Sequence, residues 1–330
     1  MEVDSELLVA SPRVSVLVIT WNHGPYLAQC LDSLLAQRCD FPFEILIGED
    51  HSQDDTPSIC ESYRDRHQDQ IRVISSAANV GMHHNLARIW HRARGAYIAI
   101  CEGDDYWVDP TKLATQVAQF EADAQLTLCG GYTRQIALGA DGVWREAGRI
   151  EPKFVQDQYS MEDLIAAYSF HTSSVMVRKD RIAFPRWFWD VYCADRPLYL
   201  LCAAAGTVRV IPETLSVYRM HDTGIWSPRG LLDKAAKGRE LFDKLDEYFD
   251  HRYTRLMRKT VGGMYWGYMQ DAINTGQTKV GRQLVWITLE LLGTPLIFVH
   301  TRAWLVALAR LYIPRTYARL RRLLPGARAT

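Results

Sequence analysis

Short apolar runs recur along the first 130 residues at a spacing of about 27–30 residues, and that rhythm limits the fold more than any other feature. The runs are Val14–Ile19, Glu44–Gly48, Ile71–Ile74, Tyr97–Cys101 and Leu126–Gly130. Between them lie amphipathic stretches of helical period: Pro25–Gln37, with Leu27, Leu31 and Leu34 on one face, then Thr56–Asp65, His84–Ala93 and Thr111–Glu121. A strand, a helix and a return strand need about 30 residues, so the pattern predicts an α/β protein with a mainly parallel, Rossmann-like sheet flanked by helices. Residues 139–170 lose the period, with Gly139, Gly142, Gly148 and Pro152 breaking it. It returns at Ser174–Val177, a helix over Leu198–Ala205 and a strand over Val208–Ile211. Beyond Pro228 the pattern is helical.

In an open α/β sheet ligands bind at the carboxyl ends of the strands, and three such ends are polar here. The first reads Thr20-Trp21-Asn22-His23-Gly24, the second Glu49-Asp50-His51-Ser52, and the fourth Glu102-Gly103-Asp104-Asp105. An aromatic side chain at the first end can stack on a base. A carboxylate at the second can accept from a ring N–H. Three acids within four residues repel one another unless a cation or solvated loop intervenes. Hard carboxylate oxygens suit Mg²⁺ or Mn²⁺ shared with phosphate oxygens. The competing readings are an acidic turn, a hydrophobic cap for Trp21 and a turn or helix-start role for Asp50 beside the cap residues Asp54 and Thr56. The first turn holds one glycine and no basic residue, which argues against a dinucleotide-binding or P-loop glycine motif.

Charge is uneven although Lys+Arg and Asp+Glu both number 38. From Gly276 to Thr330 there are nine basic residues and one acid, Glu290. An acidic body with a basic tail excludes general nucleic-acid binding and points to a local anionic partner. The seven cysteines are scattered without a C-x-x-C pair, as in a reduced cytosolic protein. No signal-peptide pattern opens the sequence.

Taken in order, several pieces resemble family 2 glycosyltransferases, which have the nucleotide-sugar-binding GT-A fold. They are Val14–Asn22, Glu44–Thr56, Asn79-Val80-Gly81, Arg94–Ile98, Glu102–Trp107 with Pro110 and Lys112-Leu113, His171–Ser174, Ala194-Asp195 and Leu215–His221. The chain departs at Glu49, where the family often has Asp, and at Trp21, where it often has Tyr. The resemblance implies that Thr20, Trp21, Asn22 and Asp50 bind the nucleoside and that Asp104 faces the ribose or sugar. It implies Arg219 near the diphosphate, Asp105 and His221 as ligands of Mn²⁺ or Mg²⁺, and Asp195 as general base in an inverting transfer. A helix N-cap is the other reading of Asp195, and an ion pair or cap that of Arg219. The implied donor is a nucleotide sugar, UDP-linked in the commonest case, and the acceptor a saccharide or lipid-linked saccharide in cell-surface glycan synthesis. The alternatives are a sugar-1-phosphate nucleotidyltransferase and an inactive nucleotide-binding scaffold.

The expected division is a catalytic domain over 1–225 and a helical region over 226–330. The apolar segment Gln283–Val299 is interrupted and short of the ~20 residues of a spanning helix. Ala303–Ile313 follows, and Pro314 can start a helix with Arg315, Arg319 and Arg322 on one face and Tyr317, Leu320 and Leu324 on another. These helices are expected to hold the protein on the anionic inner face of the cytoplasmic membrane. Packing on the catalytic domain or on a second subunit, as a homo-oligomer, is the alternative.

Overall fold

The computed structural model describes residues 11–167, 170–221, 230–292, 301–314 and 316–317. The chain forms two compact units, Met1–Gly224 and Ile225–Thr330.

In the first unit β1 (Val14–Thr20), β2 (Phe43–Glu49), β3 (Ile71–Ser75) and β4 (Tyr97–Glu102) alternate with α1 (Gly24–Leu35), α2 (Thr56–Arg66) and α3 (Met82–Arg92). β1 and β2 are buried along their whole length, which is why they read as continuous apolar runs rather than alternating ones. Leu27, Cys30, Leu31 and Leu34 form the buried stripe of α1. β1 pairs in parallel with both β2 and β4, and the register sets Thr20 opposite Glu49 and Ile19 opposite Glu102. The three polar strand ends therefore finish at one level, side by side.

The rest of the unit comprises β5 (Tyr106–Trp107), α4 (Lys112–Ala122), β6 (Leu126–Leu138), β7 (Trp144–Ile150), α5 (Met161–Ala166), β8 (Met176–Arg178), α6 (Asp195–Ala205) and β9 (Thr207–Met220). The sheet order is β3-β2-β1-β4-β8-β6-β9-β5, with β7 on β6. It is GT-A-like α/β, parallel in its first half. Beyond β4 it is mixed, because β8 runs antiparallel to both β4 and β6 while β6 and β9 are parallel.

Two strands extend well past their apolar runs. β6 continues to Leu138 and β9 to Met220, pairing with each other across several register shifts. Residues 139–150 also form a hairpin where irregular chain was expected. Gly142, at φ 77°, turns it and β7 completes it. The hairpin strands are mixed in polarity and partly exposed, so only their long-range hydrogen bonds define them.

The second unit contains α7 (Leu231–Tyr248), α8 (Thr254–Asn274), α9 (Thr278–Leu292) and α10 (Thr301–Tyr312). Trp304 of α10 meets Trp266 of α8 with ring centroids 5.0 Å apart. The Arg282 guanidinium of α9 donates to the Leu311 carbonyl at 2.8 Å. Part of the apolar surface of α10 is thus covered within this unit. Among the described residues no helix is long and apolar enough to cross a membrane. Most of the arginine-bearing helix expected from Pro314 onward lies outside the described residues.

Candidate functional site

At the end of β1 the chain turns through Asn22 in the left-handed region, φ 54°. Its N–H donates to Ser52 Oγ at 2.9 Å, and its Oδ1 accepts the Gln53 N–H at 2.8 Å. Asn22 therefore latches the β1 and β2 loops together. Asp54 continues the latch, accepting the N–H of Gly24 at 2.9 Å and that of Thr56 at 3.0 Å. Trp21, between these ties, is 43% exposed. Thr20 Oγ1 is buried with no partner.

Asp50 is buried, and each of its oxygens accepts one backbone N–H at 2.9 Å, Oδ1 from Val80 and Oδ2 from Gly81. The carboxylate so fixes the Asn79-Val80-Gly81 turn that starts α3. Each oxygen keeps a further lone pair. The Asp50 N–H donates to the Thr20 carbonyl at 3.1 Å, joining the Trp21 and Asp50 loops.

The acidic turn after β4 is held tightly. A Cβ on Gly103 would come within 2.8 Å of Thr20 Oγ1 and 2.9 Å of His23 Nδ1, so only glycine fits there. Beyond it the two aspartates part company. Asp104 Oδ2 lies 3.1 Å from His221 Nε2 and 3.5 Å from His23 Nε2. Burial opposes its ionisation, but His23 and the His221 hydrogen bond outweigh it and hold the carboxyl below the usual range. Burial in turn pushes His23 down despite Asp104.

Asp105 is 1% exposed. Its Oδ1 accepts the Arg219 N–H at 3.0 Å, while Oδ2 is without a hydrogen-bond partner and 3.5 Å from His171 Nδ1. Glu102 Oε1 accepts the Thr172 hydroxyl, and Oε2 has no partner. One ligand atom each from Glu102, Asp105 and His171 lie within 4.8 Å of one another. Burial, with Asp104 adding to it, raises Glu102 to about 7. Burial, then Asp104 and Glu102, raise Asp105 well above the carboxylate range. His171, stacked on Tyr218, is lowered to about 4 by burial and so presents a neutral ring. Crowded acids with orphaned oxygens beside a neutral imidazole make a donor set suited to a hard divalent cation.

The His221 ring meets Asp104, whereas the His171 ring meets Asp105. Arg219 is buried against the same turn. Its buried guanidinium lies over the rings of Tyr106, at 4.5 Å, and Tyr26, at 5.3 Å, and donates to the Asp104 carbonyl and the Gln29 side chain. It props the acidic turn from behind.

Asp195 opens α6 and is partly exposed. Its Oδ1 accepts the Arg196 N–H at 2.7 Å and the Cys193 thiol, while the N-cap position itself is Ala194. It is also close enough for its charge to act on Glu102, His171 and His83. One unit thus brings Thr20, Trp21, Asp50, Asp104, Asp105, His221 and Asp195 around the strand ends. His23 and His171 were not singled out as site residues in the sequence. Their signal was position: His23 directly follows the β1 turn, and His171 lies in the His-Thr-Ser-Ser piece.

A half-parallel sheet with an acidic turn at its central strand end is the GT-A type of α/β fold. The chain belongs to glycosyl transferase family 2, whose model matches residues 15–180. It is 35% identical over 213 residues to an uncharacterised protein, Rv1520, of Mycobacterium tuberculosis (strain ATCC 25618 / H37Rv), a match covering 64% of this chain. The chain spans about 60% of that relative's length. Among solved structures it is similar to Staphylococcus aureus TarS 1-349 in complex with UDP-GlcNAc, with TM-score 0.61 and 17% identity over 85% of this chain and 81% of that one. It is also similar to the mannosyltransferase PcManGT of Pyrobaculum calidifontis in complex with GDP-Man and Mn²⁺, with TM-score 0.54 and 18% identity over 96% and 88%.

Proposed function

We propose that the protein is a metal-dependent glycosyltransferase that moves a sugar from a nucleoside diphosphate, UDP in the first instance, to a hydroxyl of a saccharide or lipid-linked saccharide. The observation that carries this reading is the acidic turn Glu102–Asp105, set beside the Trp21 and Asp50 loops at the carboxyl ends of parallel strands. Similarity to proteins solved with UDP-GlcNAc and with GDP-Man and Mn²⁺ supports it.

In this reading Trp21 stacks on the base, and the remaining Asp50 lone pairs accept from a ring N–H. Asp104 and His221 hold the divalent ion, since a group that meets a diphosphate must be reached from the cleft and Asp104 is more accessible than Asp105. Bound there, Mn²⁺ or Mg²⁺ supplies Lewis-acid stabilisation of the departing diphosphate. Arg219 and Gly103 keep the turn in place. Asp195 takes the proton of the acceptor hydroxyl as that oxygen attacks the anomeric carbon. The glycosidic C–O bond breaks, the nucleoside diphosphate leaves, and a single displacement inverts the anomeric centre.

A second seat for the ion is favoured by one observation, the orphaned oxygens of Glu102 and Asp105 beside His171. Asp104→Asn and Asp105→Asn separate the two. Thermal shift with a panel of nucleotide sugars, with and without Mn²⁺, is expected to show ion-dependent stabilisation in the wild type and in Asp105→Asn but not in Asp104→Asn. The opposite pattern places the ion in the inner seat. Stabilisation by no nucleotide sugar in either metal refutes the donor reading. Release of a nucleoside diphosphate rather than pyrophosphate distinguishes transfer from the nucleotidyltransferase alternative. Turnover excludes an inactive scaffold. The pathway reading is cell-surface glycan synthesis at the cytoplasmic face of the membrane, with the second unit providing peripheral attachment.

A further inference from the structure

Helix α10 is apolar on two opposite sides. Trp304, Ala307 and Leu311 of α10 are buried. Leu305, Val306, Tyr312 and Ile313 are exposed, Leu305 at 66%. At 3.6 residues per turn, Leu305 and Tyr312 fall on one line along the helix and Val306 about 100° round from it, with Ile313 just past the helix end. Together they make a continuous stripe centred opposite the packed face. Large apolar side chains exposed side by side mark a surface that something else covers, and this helix is packed on one side only. The stripe is widened by α9. Arg282 reaches the Leu311 carbonyl and lies 5.0 Å from the Tyr312 ring. Trp286, one turn further along that side of α9, is 67% exposed.

We infer that the α10 stripe and Trp286 are the surface by which this unit enters the interface of an anionic membrane, which rests on and deepens the peripheral-attachment reading above. Charge selects the occupant. The segment from Gly276 onward carries nine basic residues against one acid, and Arg315, Arg319, Arg321, Arg322 and Arg328 all follow α10 directly in sequence. Anionic headgroups attract such a cluster, whereas a symmetric dimer through this face would bring two like-charged segments toward each other. Length agrees. Twelve residues of helix span about 18 Å, against the ~30 Å of a hydrocarbon core, so α10 suits lying in the interface and not crossing it. Trp286 and Tyr312 are the amphipathic aromatics that settle at headgroup depth.

The test is flotation of the full-length protein with vesicles of phosphatidylcholine alone or mixed with phosphatidylglycerol. The wild type is expected to float with the mixed vesicles, much less with the neutral ones, and to detach as salt rises. Leu305→Ser/Ile313→Ser should lower the bound-to-free ratio on mixed vesicles more than tenfold while leaving the melting temperature and metal-dependent donor hydrolysis unchanged. Should that double variant not fold, Trp286→Ser alone should lower the ratio severalfold. Failure of the wild type to float, or equal flotation of wild type and variants, overturns the inference. So does conversion of a wild-type dimer to a monomer by the same substitutions, which would make the stripe a self-interface. Absence of donor hydrolysis with normal flotation would count against the transferase reading and leave this one standing.

Discussion

Replacing Asp105 with Asn should stabilise the metal-free protein, and the effect should grow with pH. The Asn Oδ1 can still accept the Arg219 N–H that Asp105 accepts at 3.0 Å. The orphaned Oδ2 becomes an NH₂ facing the orphaned Oε2 of Glu102 and the His171 ring. Two ionised carboxylates within 4.8 Å of each other, at an effective dielectric of ~20, repel by on the order of 3 kcal/mol or more. Glu102 is raised from 4.5 to about 7, by burial first and then by Asp104, and Asp105 is raised by burial and then by Asp104 and Glu102. The sign follows from the raised values: stability from these carboxyls is present below the ordinary carboxylate range and is lost as pH climbs through about 7. Burial is the larger cause of both shifts, so the substitution should recover only part, about 1–2 kcal/mol at pH 8. For a unit of this size that is a rise in melting temperature of about 2–8 °C. The assay is thermal melting in excess chelator at pH 5 and pH 8, with the two proteins nearly equal at pH 5. A variant melting below the wild type at pH 8 would refute the reasoning and make the Asp105 carboxylate a structural anchor.

Three further outcomes follow from the same geometry. Asp195→Asn keeps a side-chain oxygen for the Arg196 N–H but cannot take up a proton, so transfer should slow by roughly 10²–10⁴ with donor affinity little changed; lost donor binding with normal saturated turnover would leave Asp195 a purely structural role. Lys112 is wholly buried, and burial lowers its amine from 10.5 to about 7, so the wild type should gain stability over Lys112→Met as pH rises from 6 to 9, by about 2–3 kcal/mol in denaturant melts; parallel pH profiles would contradict the buried-amine account. Asp50→Ala leaves the Val80 N–H without its acceptor and the Gly81 N–H with only the Asn79 side chain at 3.1 Å, which should destabilise the protein by about 1–3 kcal/mol and abolish nucleotide-dependent thermal shifts; retention of those shifts would remove Asp50 from the nucleotide site.

Much of the first unit was legible because both signals involved are local. Buried parallel strands must be apolar throughout, so β1, β2 and β4 announce themselves, and polar residues ending such strands mark a cleft by the geometry of the sheet. Thr20, Trp21, Asp50, Asp104 and Asp195 could be named on that basis and by family resemblance. The hidden half of the sheet is nonlocal. β8 reverses direction between β4 and β6, and the outer parts of β6 and β9 are strands only because they hydrogen-bond to each other and to β7. Nothing in their mixed polarity requires it. The site was divided in the same way. Its acids were visible as a motif, but the pairing of His221 with Asp104, the seat of His171 beside Asp105 and the burial of Arg219 between two tyrosines join residues 66 to 193 positions apart in sequence. Local runs of apolar residues decide which stretch is a strand and which acid ends it. Direction within a turn and the arrival of a distant strand decide which way each acid points, what lies against it and hence whether it holds a charge.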